Sequence, residues 1–303
     1  MTSASGRLGL GGGPLGGLFE PVDEETATAV VERAWDRGIR MFDVAPLYGH
    51  GRAERFVGAV LRHKPRDEFT LSTKVGRLLR AEAAGAPSDF AETEGVGPVF
   101  DFSAAGVRRS LEESLERLGL DRVDVLFLHD PDDHLDEAIG EAVPELLRLR
   151  DEGVVWSVGV GTNVCATARR FVRETDIDGV LLANRITLLD RTGLDVLRDS
   201  VERGVELFAA GVFSSGVLAD PGGDGRYEYR EPPAEIRARV SKLAEACGRH
   251  AVSLTAAAVQ YPFRHVGVGR VIVGVRSTAE LDADVDASDA SIPEELWEEL
   301  ERV

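Results

Sequence analysis

Cysteine is nearly absent from this chain. Cys165 and Cys247 are the only two in 303 residues, too few and too far apart for a disulfide framework or a thiolate metal site, which points to a reducing cytoplasm. Positive charge is short as well: 35 Lys and Arg face 53 Asp and Glu, for a net charge of -18 and a pI near 4.8. Such a surface repels phosphate. That argues against nucleic acid or an anionic membrane as partner and leaves room for a local basic patch that takes a dinucleotide. No apolar run reaches the roughly 18 residues a membrane span needs. Residues 1–6 are small and polar, without the apolar h-region of an export signal. Nor is there a Gly-x-Gly-x-x-Gly set between a strand and a helix. The Gly-rich run at 9–17 lacks that order and the acidic residue about 20 positions on.

What the chain does have is a regular alternation. With 43% hydrophobic residues it can bury one large core, and a barrel of about 250 residues plus insertions accommodates it as a single domain over residues 1–303. Short apolar runs at 8–10, 39–43, 69–74, 123–129, 154–160, 179–182, 205–210 and 271–273 read as strands. Helical patterns occupy 24–37, 52–62, 103–118, 135–152, 166–174, 194–203 and 234–250, and 253–263 reads as an extra helix before the last strand. The alternation predicts an α/β fold, a parallel (β/α)8 TIM barrel. Long loops at 80–100 and 220–233 fall on the catalytic side, where loops of that length shape substrate access; the plainer alternative is a surface insertion.

Titratable side chains sit at the ends of successive strands. Asp43 ends the second run and Tyr48 follows it, Lys74 ends the third and His129 ends the fourth. At the C-terminal mouth of a barrel these four converge, and together they form a device for moving a proton. Tyrosine is a poor acid or base near neutrality, with an unperturbed pKa of about 10. A buried Lys74 would favour the phenolate and lower that pKa, while Asp43 holds the ammonium in place. His129 could hydrogen-bond the reacting oxygen and, as a neutral imidazole, polarise a carbonyl. Singly, each residue has a plain reading as a solvated or core side chain; the pattern of four carries the inference. The run His129-Asp130-Pro131-Asp132-Asp133-His134 also suggests a metal site, but no second His or Cys cluster completes one. Asp132 and Asp133 read better as helix caps, and no metal is expected.

The segments Phe42-Asp43-Val44-Ala45-Pro46-Leu47-Tyr48-Gly49, Ser72-Thr73-Lys74 and Leu126-Phe127-Leu128-His129 resemble, in order, the three catalytic-tetrad segments of the aldo-keto reductases. The resemblance covers nearly the whole chain. The stretch from Asp124 to His134 is most similar to a bacterial branch of NAD(P)-dependent aldose and pyridoxal dehydrogenases, including L-fucose and D-threo-aldose 1-dehydrogenases. This resemblance implies an oxidoreductase that uses NAD or NADP to interconvert a carbonyl and an alcohol on a small polar molecule. An aldose oxidised at C1 comes first, and a pyridoxal or broad aldehyde/ketone substrate second. A dinucleotide-sensing regulatory subunit is the alternative of another class. Oligomeric state stays open.

The same resemblance implies a dinucleotide laid across the barrel mouth. Thr162 and Asn163, in Gly159-Val160-Gly161-Thr162-Asn163, would hold the nicotinamide carboxamide. Gly211, Val212, Phe213, Ser214, Ser215 and Gly216 follow the seventh strand, at the family's pyrophosphate loop. Gly274, Arg276, Glu280 and Asp284 lie in the adenosine-binding tail, where the usual proline is Val273 and the usual Asn is Asp284. Glu280 stands where NADP-preferring members often carry a basic residue. A carboxylate there repels a 2′-phosphate and favours NAD, while Arg276 could still reach such a phosphate. Ile186 stands near where many relatives place a ring-stacking Tyr. Phe19, Phe90 and Phe213 are candidates for the substrate wall, with loop anchoring as the plain alternative.

Overall fold

A computed structural model of the chain describes residues 5–85, 87–220, 222–223 and 225–303. Residues 1–4 of the polar N-terminal segment, and positions 86, 221 and 224 of the two long loops, lie outside the described residues. The strands, in chain order, are β1 (Leu8–Gly11), β2 (Met41–Asp43), β3 (Thr70–Val75), β4 (Arg77–Arg80), β5 (Gly97–Phe100), β6 (Val125–His129), β7 (Ser157–Thr162), β8 (Gly179–Ala183), β9 (Glu206–Ala210) and β10 (Val268–Gly274). Eight of them close into one barrel in the order β1, β2, β3, β6, β7, β8, β9, β10, each parallel to its neighbours. The (β/α)8 TIM barrel read from the alternation is thus the fold of the chain.

Helices fill the crossovers. Glu24–Asp36 starts where the Asp23 carboxylate accepts the Thr26 amide at 2.7 Å, and it buries Ala27, Val30, Val31 and Ala34 at helical spacing. Ala104–Leu118 is capped by Ser103 and stops at Gly119, which sits at φ 64° in the left-handed region. The expected helix at 135–152 is instead broken. A short turn, Leu135–Glu137, runs into a π-helical segment, Ala138–Ala142, before Val143–Asp151 resumes α geometry. Pro144 explains the break, because its missing N–H and its ring disrupt the i→i−4 ladder and the wider turn absorbs the register. Residues 154–156, expected to be strand, precede β7, where the Trp156 and Ser157 amides both donate to the Asp124 carbonyl. The extra helix before the last strand is Leu254–Gln260, continued by a 3-10 turn over Tyr261–Arg264.

The barrel interior is layered by the two-residue alternation of its strands. Midway down, Met41, Val125, Phe127, Leu181, Phe208 and Ile272 form a buried plug, with Phe127 and Phe208 edge to face at 5.6 Å. A Cβ at Gly159 would lie 3.0 Å from the Phe127 ring and 2.0 Å from the Gly179 carbonyl oxygen, so the bare backbone makes room for the plug. Above it, each barrel strand presents one more residue to a cavity at the C-terminal mouth: Gly11, Asp43, Lys74, His129, Gly161, Ala183, Ala210 and Gly274. Five of these eight are glycine or alanine, and that is what leaves space above the plug. The other three are titratable.

The loop at 80–100 is not structureless. β4 and β5 pair antiparallel, from Arg77 opposite Phe100 to Arg80 opposite Gly97, and the segment between them leans over the cavity, where Pro87, Ser88, Asp89 and Phe90 line its wall. The loop at 220–233 contributes Tyr229 to the lining as well. No helix among the described residues is long and apolar enough to cross a membrane.

Candidate active site

β2 and β3 pair in register at Asp43 and Ser72, which places Lys74 one inward position higher on β3, beside the Asp43 carboxylate. Lys74 Nζ donates to Asp43 Oδ2 at 2.7 Å and to the Val44 carbonyl at 2.9 Å, and Ser72 Oγ donates to Asp43 Oδ1 at 2.7 Å. Both ionic side chains are buried, Lys74 at 1% and Asp43 at 3% exposure, so the pair holds only because each charge is matched and hydrogen-bonded. Thr73, facing outward between Ser72 and Lys74, donates to the fully buried Glu54 at 2.7 Å, and Glu54 also accepts from Arg117 Nε at 2.5 Å. β3 is thereby tied to helices Arg52–Leu61 and Ala104–Leu118, and Lys74 inherits that rigidity.

Tyr48 reaches the same spot from the β2 crossover. Lys74 Nζ stands 4.5 Å from its ring centroid, and the His129 ring meets it edge to face at 5.7 Å. Burial pushes the phenol up to about 12; Lys74 pulls the other way, by charge and by hydrogen bond, and Asp43 adds to the rise. The expected direction of the Lys74 influence is therefore present, but the net lowering expected from the sequence is not, because desolvation of a phenolate outweighs one neighbouring ammonium already shared with a carboxylate. Lys74 itself loses stabilisation by burial and regains more from Asp43 and Tyr48, ending at about 12. His129 is held well below the usual histidine range by burial and by the cations Arg77 and Lys74, so its imidazole is neutral.

These four residues line one cavity of about 440 Å³, together with Leu47, His50, Phe90, Arg77, Asp130, Thr162, Asn163, Gly274 and Tyr229 among others. Phe90 lies with its ring 6.1 Å from Tyr48. Phe19 is off the lining; it stacks 6.2 Å from Tyr229 and carries the Arg226 guanidinium over its face at 4.2 Å. Phe213 is buried in the outer core at 9% exposure, away from the cavity wall.

The segments expected to hold a dinucleotide differ in how much of them is free. Thr162 Oγ1 donates to Asp132 Oδ1 and accepts from the Val164 amide, both at 2.9 Å, so its hydroxyl is committed. Asp132 thus braces β7 rather than capping a helix, as the sequence had suggested. The Asn163 side chain makes no hydrogen bond among the described residues and faces the cavity. In the loop after β9, Gly211, Ser214, Ser215 and Gly216 take φ values of 61°, 50°, 62° and 104°. The side chains of Val212 and Ser214 turn into the core, the Ser214 hydroxyl bonding Thr187 at 3.2 Å. Gly211, Ser215 and Gly216 are the partly exposed positions of this turn. In the tail, Ser277 caps helix Thr278–Ser288 by accepting the Glu280 amide at 3.1 Å, and the Glu280 carboxylate accepts the Arg276 amide at 2.8 Å. Arg276 itself pairs with Glu20 at 2.7 Å and Glu280 at 3.6 Å. Asp284 is buried at 6% exposure, and burial, with Glu280 adding to it, pushes its carboxyl up to about 7. Among the described residues no group of three or more His, Cys, Asp or Glu is placed to hold a metal ion.

Sequence reasoning missed Ser72, Arg77, Asp130 and Tyr229 as parts of this site. Ser72 was within reach, lying two residues before Lys74 and hence on the same strand face. Arg77 and Tyr229 depend on how the long loops fold.

The aldo/keto reductase family model matches residues 7–303. The chain is 44% identical to the D-threo-aldose 1-dehydrogenase of a Pseudomonas species over 97% of this chain and 92% of that protein. It is 40% identical to the pyridoxal 4-dehydrogenase of Microbacterium luteolum, again over 97% and 92%. Among solved structures, the holo form of the aldo-keto reductase AKR11C1 from Bacillus halodurans superposes with a TM-score of 0.78 at 25% identity, covering 98% of this chain and 91% of that one. A barrel whose mouth gathers Asp43, Tyr48, Lys74 and His129, matched along 7–303, belongs to the aldo/keto reductase family, as an NAD(P)-dependent oxidoreductase.

Proposed function

We propose that this chain is a cytoplasmic aldose 1-dehydrogenase acting as a single barrel domain over residues 1–303, with NAD as the preferred cofactor and a small polar sugar as substrate. The observation that carries the reading is the clustering of Tyr48 with the Asp43–Lys74 pair and a neutral His129 at the floor of a 440 Å³ cavity. A space of that size takes a small ligand beside one end of a cofactor.

The residues fit a dinucleotide. Gly11, Gly161, Ala183, Ala210 and Gly274 leave the mouth open, Asn163 carries an unpaired amide for a carboxamide, and the Ser215 amide donates to no protein acceptor among the described residues. When bound, NAD(P) supplies the hydride acceptor for oxidation and the donor for reduction. The chain's own groups handle the proton. His129, uncharged, donates to the reacting oxygen and fixes its place, and Tyr48 takes the hydroxyl proton in oxidation or gives it in reduction. Lys74 stabilises the phenolate that oxidation requires, and Asp43 keeps Lys74 charged and still. NAD is favoured because Arg276, the nearby cation, is flanked by Glu20 and Glu280, so a 2′-phosphate would meet two carboxylates.

The similarity to D-threo-aldose 1-dehydrogenase supports a sugar, and that to pyridoxal 4-dehydrogenase favours pyridoxal as the second reading. Steady-state absorbance at 340 nm with both cofactors, against aldoses, pyridoxal and simple aldehydes, tests both. Cofactor binding with negligible turnover of every compound would replace the enzyme reading by a dinucleotide sensor.

A further inference from the structure

Arg77 and Asp130 border the same cavity as Tyr48 and His129, yet the proton chemistry uses neither. Arg77 opens β4, one residue after Gly76, whose φ of 99° turns the chain off the barrel, and its guanidinium lies over the Phe100 ring at 4.8 Å. Asp130 directly follows His129 and sits at φ 44°, a left-handed conformation that aspartate tolerates better than most residues. The two pair at 2.6 Å through Arg77 Nη2 and Asp130 Oδ2.

A purely structural ion pair would use up its polar atoms. This one does not. Arg77 Nη1 makes no hydrogen bond among the described residues, and Asp130 Oδ1 accepts none. A donor and an acceptor are thus left over on two paired residues that line the cavity. They are also close to the chemistry, since Asp130 Oδ2 lies 3.6 Å from His129 Nε2. Asp132, the carboxylate two residues further on, is committed to the Thr162 hydroxyl. In a substrate whose reacting oxygen rests against His129, a hydroxyl on the adjoining carbon lies about 2.8 Å away, one hydrogen-bond length. We propose that Arg77 and Asp130 act as a clamp for that neighbouring hydroxyl, Asp130 accepting its proton and Arg77 donating to its oxygen, so that the enzyme selects 2-hydroxy carbonyl compounds and the matching 1,2-diols. The inference deepens the aldose reading and rests on its placement of the reacting oxygen at His129.

The test compares two aldehydes that differ by one hydroxyl, lactaldehyde and propanal, in the reductive direction with NADH and NADPH. The ratio of their kcat/KM values cancels any effect common to both, including disturbance of Tyr48 or His129. Hydrogen bonds to charged groups make the expected wild-type preference for lactaldehyde roughly ten- to a hundredfold. Asp130→Gly, which removes the carboxylate while accepting the backbone conformation, brings the ratio to within about threefold of one. Arg77→Met lowers it by about tenfold and decides the matter should the first variant not fold. A wild-type ratio near one, no turnover of either aldehyde, or a ratio unchanged in the folded variants overturns the clamp. Aldoses and their 2-deoxy analogues are assayed separately. Failure of every aldose with the lactaldehyde preference intact removes the sugar reading and leaves the clamp standing, whereas equal turnover of an aldose and its 2-deoxy analogue removes the clamp and leaves the sugar reading.

Discussion

Tyr48 and His129 meet edge to face, ring centroids 5.7 Å apart and planes at 90°. Both side chains line the same cavity, which is where the proposed reaction puts the substrate oxygen. Tyr48→Phe keeps the ring and its packing while removing the hydroxyl proposed to exchange the proton. Turnover should fall by about 10²–10⁴-fold with cofactor affinity nearly unchanged. Single-turnover rates and cofactor titration by fluorescence check this; a variant with more than roughly a tenth of the wild-type chemical rate would take Tyr48 out of its role.

The pH dependence follows from the phenol standing at about 12. Oxidation needs the phenolate, whose fraction rises about tenfold per pH unit below the pKa, so oxidative kcat/KM climbs through the alkaline range. Reduction needs the phenol, present throughout the neutral range, and is flat there. Lys74 is the influence that lowers this pKa, so Lys74→Met displaces the oxidative limb further up and lowers the rate at each pH below it. Superimposable pH profiles for the variant and the wild type would show that Lys74 does not tune the tyrosine.

Asp284 offers a prediction about stability alone. Its carboxyl is raised to about 7 in the fold, against an unfolded value near 3.9. The folded state binds the extra proton, so stability is highest below the unfolded value, falls as pH rises through about 7 and is constant above that. Asp284→Asn removes the penalty. Without cofactor it should be more stable than wild type by about 2–4 kcal/mol at pH 8 and no different at pH 4. Urea midpoints at the two pH values read the difference, and equal gains at both would mean the carboxylate is not the cause.

Glu280 does two things that one substitution separates. Glu280→Arg removes the carboxylate that accepts the Arg276 amide, costing about 0.5–1 kcal/mol of stability. It also exchanges repulsion for a charge-assisted contact with a 2′-phosphate, so preference should move towards NADP by roughly ten- to a hundredfold. Titration of both cofactors against wild type and variant decides it. Wild type already preferring NADP would make Arg276 the phosphate ligand and Glu280 a cap alone.

The barrel strands were legible because each is an apolar run between turn residues, and the tetrad because strand ends in a parallel barrel face one mouth. The hairpin of β4 and β5 was not, since each strand has four residues and takes its order from the other. The direction of the Tyr48 shift was equally hidden. Sequence identifies the ammonium beside the phenol but not how completely water is excluded, and burial is the larger influence. Glu280 carries a second, structural role that the sequence also encodes. The motif Ser277-Thr278-Ala279-Glu280 is a helix-start signal on its own terms, and the structure shows both of its hydrogen bonds.

The ring of glycine and alanine above the Phe127 plug divides the barrel into two territories that respond to different pressures. Below, the plug side chains pack against one another, so a lost methyl registers chiefly as a lower melting temperature. Above, a gained methyl matters more. Gly161 has the Lys74 side chain 3.6 Å from where a Cβ would stand, so Gly161→Ala would add bulk beside the reacting groups without touching the plug. A mutational scan of the eight strands should therefore split by height along the barrel axis, with thermal tolerance mapped in one half and catalytic tolerance in the other.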